Sequence, residues 1–183
     1  MKAYLLAAGR GKRAGGPKAW QVHEGKTLLE RQLDFLKARG RAGEIHVAVQ
    51  AEWLERCRAL DESVDWVACD PDLPAFASLQ ALIKAAPPGW ATAHHVDMPV
   101  WEAAVFTALQ QRMLGSCSAE ALVPVFEGKR GHPVVLSPRL QRKIVTLEGA
   151  TARLDVLLRE SRVDEVPVGS SCVLANWNEG AIS

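Results

Sequence analysis

The sequence predicts an α/β fold: a mainly parallel sheet with helices on both faces. Two observations carry this. Short apolar runs alternate with segments of helical periodicity through most of the chain. The first apolar run, Ala3 to Ala8, leads directly into a loop rich in glycine and cationic residues. At 183 residues the chain reads as one domain, 1–183, able to bury roughly 70% of its unfolded surface.

The elements follow in order. Ala3 to Ala8 is the first strand. Thr27 and Glu30 have capping-box spacing, Leu29, Leu33 and Leu36 share one helical face, and Gly40 is a stop. Glu44 to Val49 reads as a strand, Glu52 to Leu60 as a short helix and Trp66 to Cys69 as a short strand. Two prolines make 70–74 a loop. Ala77 to Ala86 is a helix ended by Pro87-Pro88-Gly89, and Ala91 to Val96 a strand ended by Asp97-Met98-Pro99. Glu102 to Met113 is helical. Strands Ala121 to Phe126 and His132 to Leu136 flank a cationic loop, and Ser137-Pro138 opens a helix to about Leu147. Thr151 is read as the cap of a last helix, to Glu160. Val163 to Val168 and Cys172 to Ala175 are read as closing strands.

The opening loop is built for phosphate. Gly9, Gly11, Gly15 and Gly16 let backbone N–H groups approach an anion, and Arg10, Lys12, Arg13 and Lys18 supply neutralising charge. Two common phosphate loops do not fit. Gly11 and Gly16 have Walker spacing, but Pro17-Lys18-Ala19 follows where Lys-Ser/Thr is required. The dinucleotide pattern needs glycine where Ala14 stands.

The run Leu6-Ala7-Ala8-Gly9-x-Gly11-x-Arg13, then Gly15 and Lys18, resembles the L-A-A-G-x-G-x-R-M-G-x-x-K signature of nucleotidyltransferases. The resemblance is nearest to the molybdenum-cofactor enzymes, the molybdopterin guanylyl- and cytidylyltransferases; Ala14 replaces their methionine. It extends over most of the chain through three later stretches. Asp97-Met98-Pro99 matches the family's Asp-x-Pro, whose aspartate binds the catalytic metal. Gly128-Lys129-Arg130-Gly131-His132-Pro133 matches G-x-R-G-H-P. Asn176-Trp177-Asn178 matches Asn/Asp-Ile-Asn/Asp, without the Thr-Pro-Glu-Asp that usually continues it. Ser78-Leu79 matches a Ser-Leu that closes over the nucleotide, without the preceding glycines.

The resemblance implies a three-layer, Rossmann-like fold of the nucleotide-diphospho-sugar transferase type. It also implies Mg²⁺-dependent transfer of a nucleoside monophosphate to a phosphate-bearing, molybdopterin-like acceptor, with release of pyrophosphate. The implied nucleotide site is Leu6, Ala7, Ala8, Gly9, Gly11, Lys12, Arg13, Lys18, Ser78 and Asp97, with Arg13, Lys18 and Asp97 catalytic. Asp97 and Asn178 are the implied metal ligands, and Arg130, Gly131 and His132 the implied acceptor residues. Ala8 and the R-G-H-P stretch favour CTP, because a methyl at Ala8 narrows the base pocket; the Asn-x-Asn stretch favours GTP. Two alternatives are a sugar- or alcohol-phosphate nucleotidyltransferase of the same fold and a nucleotide-binding protein with weakened catalysis.

Composition restricts partners. Net charge is +1, so no global field recruits nucleic acid or membrane. There is no run of about 18 apolar residues and no signal-peptide layout. The four cysteines, Cys57, Cys69, Cys117 and Cys172, form no C-x-x-C pair, which reads as idle thiols in a reducing cytoplasm. His94-His95 reads as strand packing, and the six tryptophans mostly as core.

Overall fold

The computed structural model describes residues 1–11, 15–40, 42–115 and 118–177. In chain order the elements are β1 (Lys2–Leu6), the hairpin β2 (Val22–His23) and β3 (Lys26–Thr27), α1 (Leu28–Lys37), β4 (Ile45–Gln50), α2 (Leu54–Leu60), β5 (Asp65–Cys69), α3 (Ala75–Ala85) and β6 (Ala91–His95). Then come α4 (Ala103–Gly115), β7 (Ala121–Phe126), β8 (Lys129–Arg130), β9 (Val134–Leu136), α5 (Pro138–Ile144), α6 (Leu154–Arg159) and β10 (Val163–Pro167).

Eight strands form one sheet in the order β10-β7-β9-β6-β1-β4-β5, with β8 paired to β7. Strands β4 and β6 flank β1 in parallel, and β5 and β10 extend the two sides in parallel. β9 runs antiparallel to both β6 and β7. The carboxyl ends of β1, β4, β5, β6 and β7 therefore share one edge, the edge at which ligands bind in open α/β sheets.

Period-two alternation sorts the core into two layers around the sheet. Leu5, Val47, Leu122 and Val135 pack with α1 and α4 through Leu29, Leu33, Phe106 and Leu109. Tyr4, Leu6, Ala48, Ala93 and Val123 point to the other face, against Phe76, Leu79 and Leu82 of α3 and Leu140 and Ile144 of α5. This is the mainly parallel, three-layer arrangement that the alternation predicts.

Local chemistry explains the element ends. Thr27 Oγ1 accepts from Glu30 N at 3.2 Å while Thr27 N donates to Glu30 Oε2 at 2.7 Å, so the predicted capping box forms; such a cap stabilises a helix by about 1 kcal/mol. Ser137 caps α5 by accepting from Leu140 N, with Pro138 in the first turn. The β2–β3 hairpin escapes the sequence reading. Its turn is Glu24-Gly25, both at positive φ, 48° and 79°, the primed turn of a two-residue hairpin. Glu127-Gly128 repeats that turn between β7 and β8, with φ of 48° and 76°.

Other expectations are corrected. Cys172–Ala175 is no strand: Ser171–Leu174 form a 3-10 turn, capped by Ser170 accepting from Cys172 N. Thr151 does not cap the last helix, which starts at Leu154 after Arg153; Thr151 Oγ1 bonds Glu148 instead. The third helix begins two residues early, at Ala75, directly after Pro74. β9 begins at Val134, after a cis His132–Pro133 peptide. All six tryptophans are partly buried around the rim of one core layer rather than inside it, with Trp20 and Trp53 edge to face at 5.5 Å.

Candidate functional site

The opening loop leaves β1 at the sheet's carboxyl edge and is pinned before it turns. Ala7 N donates to Ala48 O at 2.9 Å, and Gln50 Nε2 donates to Ala8 O at 3.0 Å. Gly11 has φ of +61°, and its carbonyl accepts from Gly16 N at 3.2 Å. A Cβ on Gly11 would collide with the Gly16 carbonyl, so this turn requires glycine on both counts. Lys12, Arg13 and Ala14 lie outside the described residues.

Lys18 follows the loop on a single 3-10 turn anchored by the buried Ala19. Its Nζ lies 2.7 Å from Asp97 Oδ2 and 3.5 Å from Asn176 Oδ1. Asp97 is held from three sides. Val96 N bonds Leu6 O, Gln32 Nε2 donates to the carbonyls of Val96 and Met98 at 3.2 and 2.8 Å, and Trp177 N donates to Asp97 O at 2.6 Å. Gln32 was missed in the sequence. Its signal is a polar residue on the inward stripe of α1, where it is fully buried beside Leu29, Leu33 and Leu36.

The three predicted stretches that contain Lys18, Asp97 and Asn176 thus meet at one point. Asn178, the expected second metal ligand, lies outside the described residues; Asn176 is the late asparagine placed beside the pair. The ammonium stands between two hard oxygen donors, so the donor set fits a hard divalent cation. Among the described residues no group of three or more His, Cys, Asp and Glu forms a separate metal cluster.

Two hollows share His95, which stands two residues before Asp97. A chamber of about 90 Å³ is lined by Leu6, Ala8, Gly9, Asp70, Pro71, Leu73, Ala75, Ser78 and His95. It therefore holds four of the residues expected to bind nucleotide, Leu6, Ala8, Gly9 and Ser78. Arg10, next in the chain after Gly9, pairs through Nε and a terminal nitrogen, 2.8 and 2.7 Å from the two oxygens of Asp72. A larger cavity of about 600 Å³ lies over the α3 face of the sheet, walled by Phe76, Leu79, Val123, Val134, Leu154 and Leu158. Arg130, Gly131 and His132, the expected acceptor residues, line it together with His95, Arg153 and Arg159.

The 3-10 turn that replaces the expected last strand locks this wall. His132 N donates to Val173 O at 2.8 Å, Gly131 N donates to Pro124 O at 2.8 Å, and a Cβ on Gly131 would collide with the Val173 carbonyl. Arg130 Nε bonds Glu165 at 2.8 Å. Burial pushes His132 down to about 4, so its ring is neutral at neutral pH, and burial also lowers His95. His94 points to the opposite face, fully buried against Phe106, and burial pushes it down to about 3. The pair read as packing therefore divides: His94 packs, and His95 lines both hollows.

A glycine-rich loop, an aspartate after a central strand and a cavity over one face of the sheet define a nucleotidyltransferase-type α/β domain. The chain belongs to the MobA-like NTP transferase family, whose model matches residues 3–166. It is 30% identical to a probable molybdenum cofactor guanylyltransferase of Opitutus terrae, over 95% of this chain and 88% of that protein. Among solved structures it is similar to Rv0371c from Mycobacterium tuberculosis H37Rv, with a TM-score of 0.78, 21% identity, and 95% and 90% of the two chains covered. It is also similar to molybdopterin-guanine dinucleotide biosynthesis protein A from Archaeoglobus fulgidus, with a TM-score of 0.67, 19% identity, and 91% and 83% covered. Among the described residues no helix is long and apolar enough to cross a membrane, and Cys57, Cys69 and Cys172 are free thiols.

Proposed function

We propose that this nucleotidyltransferase moves a cytidylyl group from CTP to the phosphate of a molybdopterin-like acceptor in the cytoplasm. The observation that carries the reading is the meeting of Lys18, Asp97 and Asn176, with His95, two residues before Asp97, lining both a small chamber and a large, mostly apolar cavity. The base occupies the chamber against Ala8, and the acceptor's ring system occupies the cavity.

The acceptor phosphate has a second pKa of about 6 and is largely a dianion at neutral pH, so attack on the α-phosphorus needs no general base. The new bond forms in line as pyrophosphate leaves with its bonding electrons. Catalysis is positioning and charge neutralisation. Lys18 grips the triphosphate, and Lys12 and Arg13 do so by the family pattern. Asp97, Asn176 and Asn178 would hold Mg²⁺, which supplies charge neutralisation on the phosphate oxygens. Arg130, Gly131 and His132 shape the acceptor wall.

Guanylyl transfer is the second reading. It is favoured by Asp70 in the chamber wall, a carboxylate able to accept from a guanine edge, and by the activity named for the Opitutus terrae relative. Pyrophosphate release is the test, run with CTP and GTP, Mg²⁺, and either molybdopterin or glucose 1-phosphate. Turnover with CTP and molybdopterin supports the proposal. A clear GTP preference selects the second reading. Turnover only with the sugar phosphate, or none at all, refutes the molybdopterin assignment.

A further inference from the structure

Three residues line both the chamber and the cavity: Leu6, Ala75 and His95. Only His95 among them carries polar side-chain atoms. It closes β6 directly opposite Leu6 of β1, on the face that Ala91 and Ala93 give to the core. Simple alternation calls for another apolar residue at this position. The imidazole stands instead at the seam of the two hollows. Its ring centre is 6.4 Å from that of His132, at 88°.

We propose that His95 binds the acceptor, donating a ring N–H to the reacting phosphate of a phosphate monoester whose apolar, ring-like body fills the cavity. This rests on the transferase reading above. The imidazole offers a ring N–H, and its place in the walls of both hollows lets that N–H orient a phosphate oxygen of the acceptor. No proton passes through His95. The acceptor oxygen bonds to the α-phosphorus, the bond from that phosphorus to the β-phosphate's bridging oxygen breaks, and pyrophosphate carries away the electron pair. Packing alone does not account for the residue, because the adjacent His94 already shows what a packing histidine looks like here, buried against Phe106 on the other face.

The test compares His95→Leu, which removes the donor, with His95→Gln, which keeps an N–H at similar reach. Pyrophosphate release is measured with CTP, Mg²⁺ and molybdopterin, and CTP affinity by titration calorimetry. His95→Leu should lower kcat/KM for the acceptor about 10- to 100-fold, the worth of one hydrogen bond to a charged group. CTP affinity should stay within about twofold of wild type, and His95→Gln should recover most of the loss. Equal losses in both variants, an equal fall in CTP affinity, or no loss at all overturns the role of His95. If wild type releases no pyrophosphate from either CTP or GTP with molybdopterin, the molybdopterin reading fails and this proposal with it. If wild type turns over and His95→Leu matches it, only the role of His95 fails.

Discussion

Lys18 Nζ and Asp97 Oδ2 lie 2.7 Å apart although 79 positions separate them in the chain. Both side chains are mostly shielded, at 18% and 17% exposure. One follows the opening loop and the other follows β6, and the parallel pairing of β1 with β6 brings the two together. On the proposed mechanism the lysine ammonium competes with the metal for the Asp97 carboxylate. Lys18→Ala should weaken nucleoside triphosphate binding by roughly 1.5–3 kcal/mol, the worth of a charge-assisted contact. It should also strengthen Mn²⁺ binding to the nucleotide-free protein, because the competing cation is gone. Titration calorimetry reads both, and an unchanged triphosphate affinity removes Lys18 from the site.

Asp97→Asn should cut turnover far more than nucleotide affinity, since charge neutralisation matters most as pyrophosphate departs. Asn176→Ala should do so more mildly, as a neutral amide contributes less than a carboxylate. Parallel measurement of kcat and nucleotide Kd checks both. Equal falls in the two quantities for Asp97→Asn count against a metal-holding role.

Ala8→Gly removes the methyl that narrows the chamber. Turnover should shift from CTP towards GTP, read as the ratio of the two kcat/KM values. An unchanged ratio rules out Ala8 as a determinant of base choice.

Gly131→Ala drives a Cβ into the Val173 carbonyl. Overpacking of this kind costs about 1–3 kcal/mol, so the melting temperature should fall. The displaced turn should also raise KM for the acceptor more than for the nucleotide. A melting temperature equal to wild type contradicts the contact.

Among the described residues neither ring nitrogen of the buried His94 has a hydrogen-bond partner, and burial pushes it down to about 3, against about 6.5 in an unfolded chain. The unfolded state therefore binds more protons between those values, and stability rises with pH there. The contribution is complete above about pH 6.5 and is lost progressively as pH falls towards 3. His132, pushed down to about 4, acts in the same direction. His94→Leu should flatten the acid limb and cost little at pH 7, because no hydrogen bond is removed. Melting temperatures at pH 7 and pH 5 decide this, and an unchanged acid limb assigns the sensitivity elsewhere.

Much was legible in the chain itself, for local reasons. Thr27 and Glu30 are three residues apart, so their capping box needs no tertiary contact to be read. Ser137-Pro138 announces a helix start in the same way. The spacing of Gly9, Gly11, Gly15 and Lys18 carries the family signature, because a loop's backbone freedom and charge are short-range properties. Alternation of apolar runs with helical stripes determined the parallel sheet.

The tertiary structure decided whatever depends on residues far apart in sequence. Gln32 reads as an odd polar residue until α1 packs beneath Asp97 and its amide finds two carbonyls there. Residues 171–174 have strand-like composition, yet they curl because Val173 O receives His132 N across the molecule. His94 and His95 are indistinguishable by composition. Their parity on β6 sends one into a dry core and the other to the seam of two hollows, and only the packed sheet makes those two faces different.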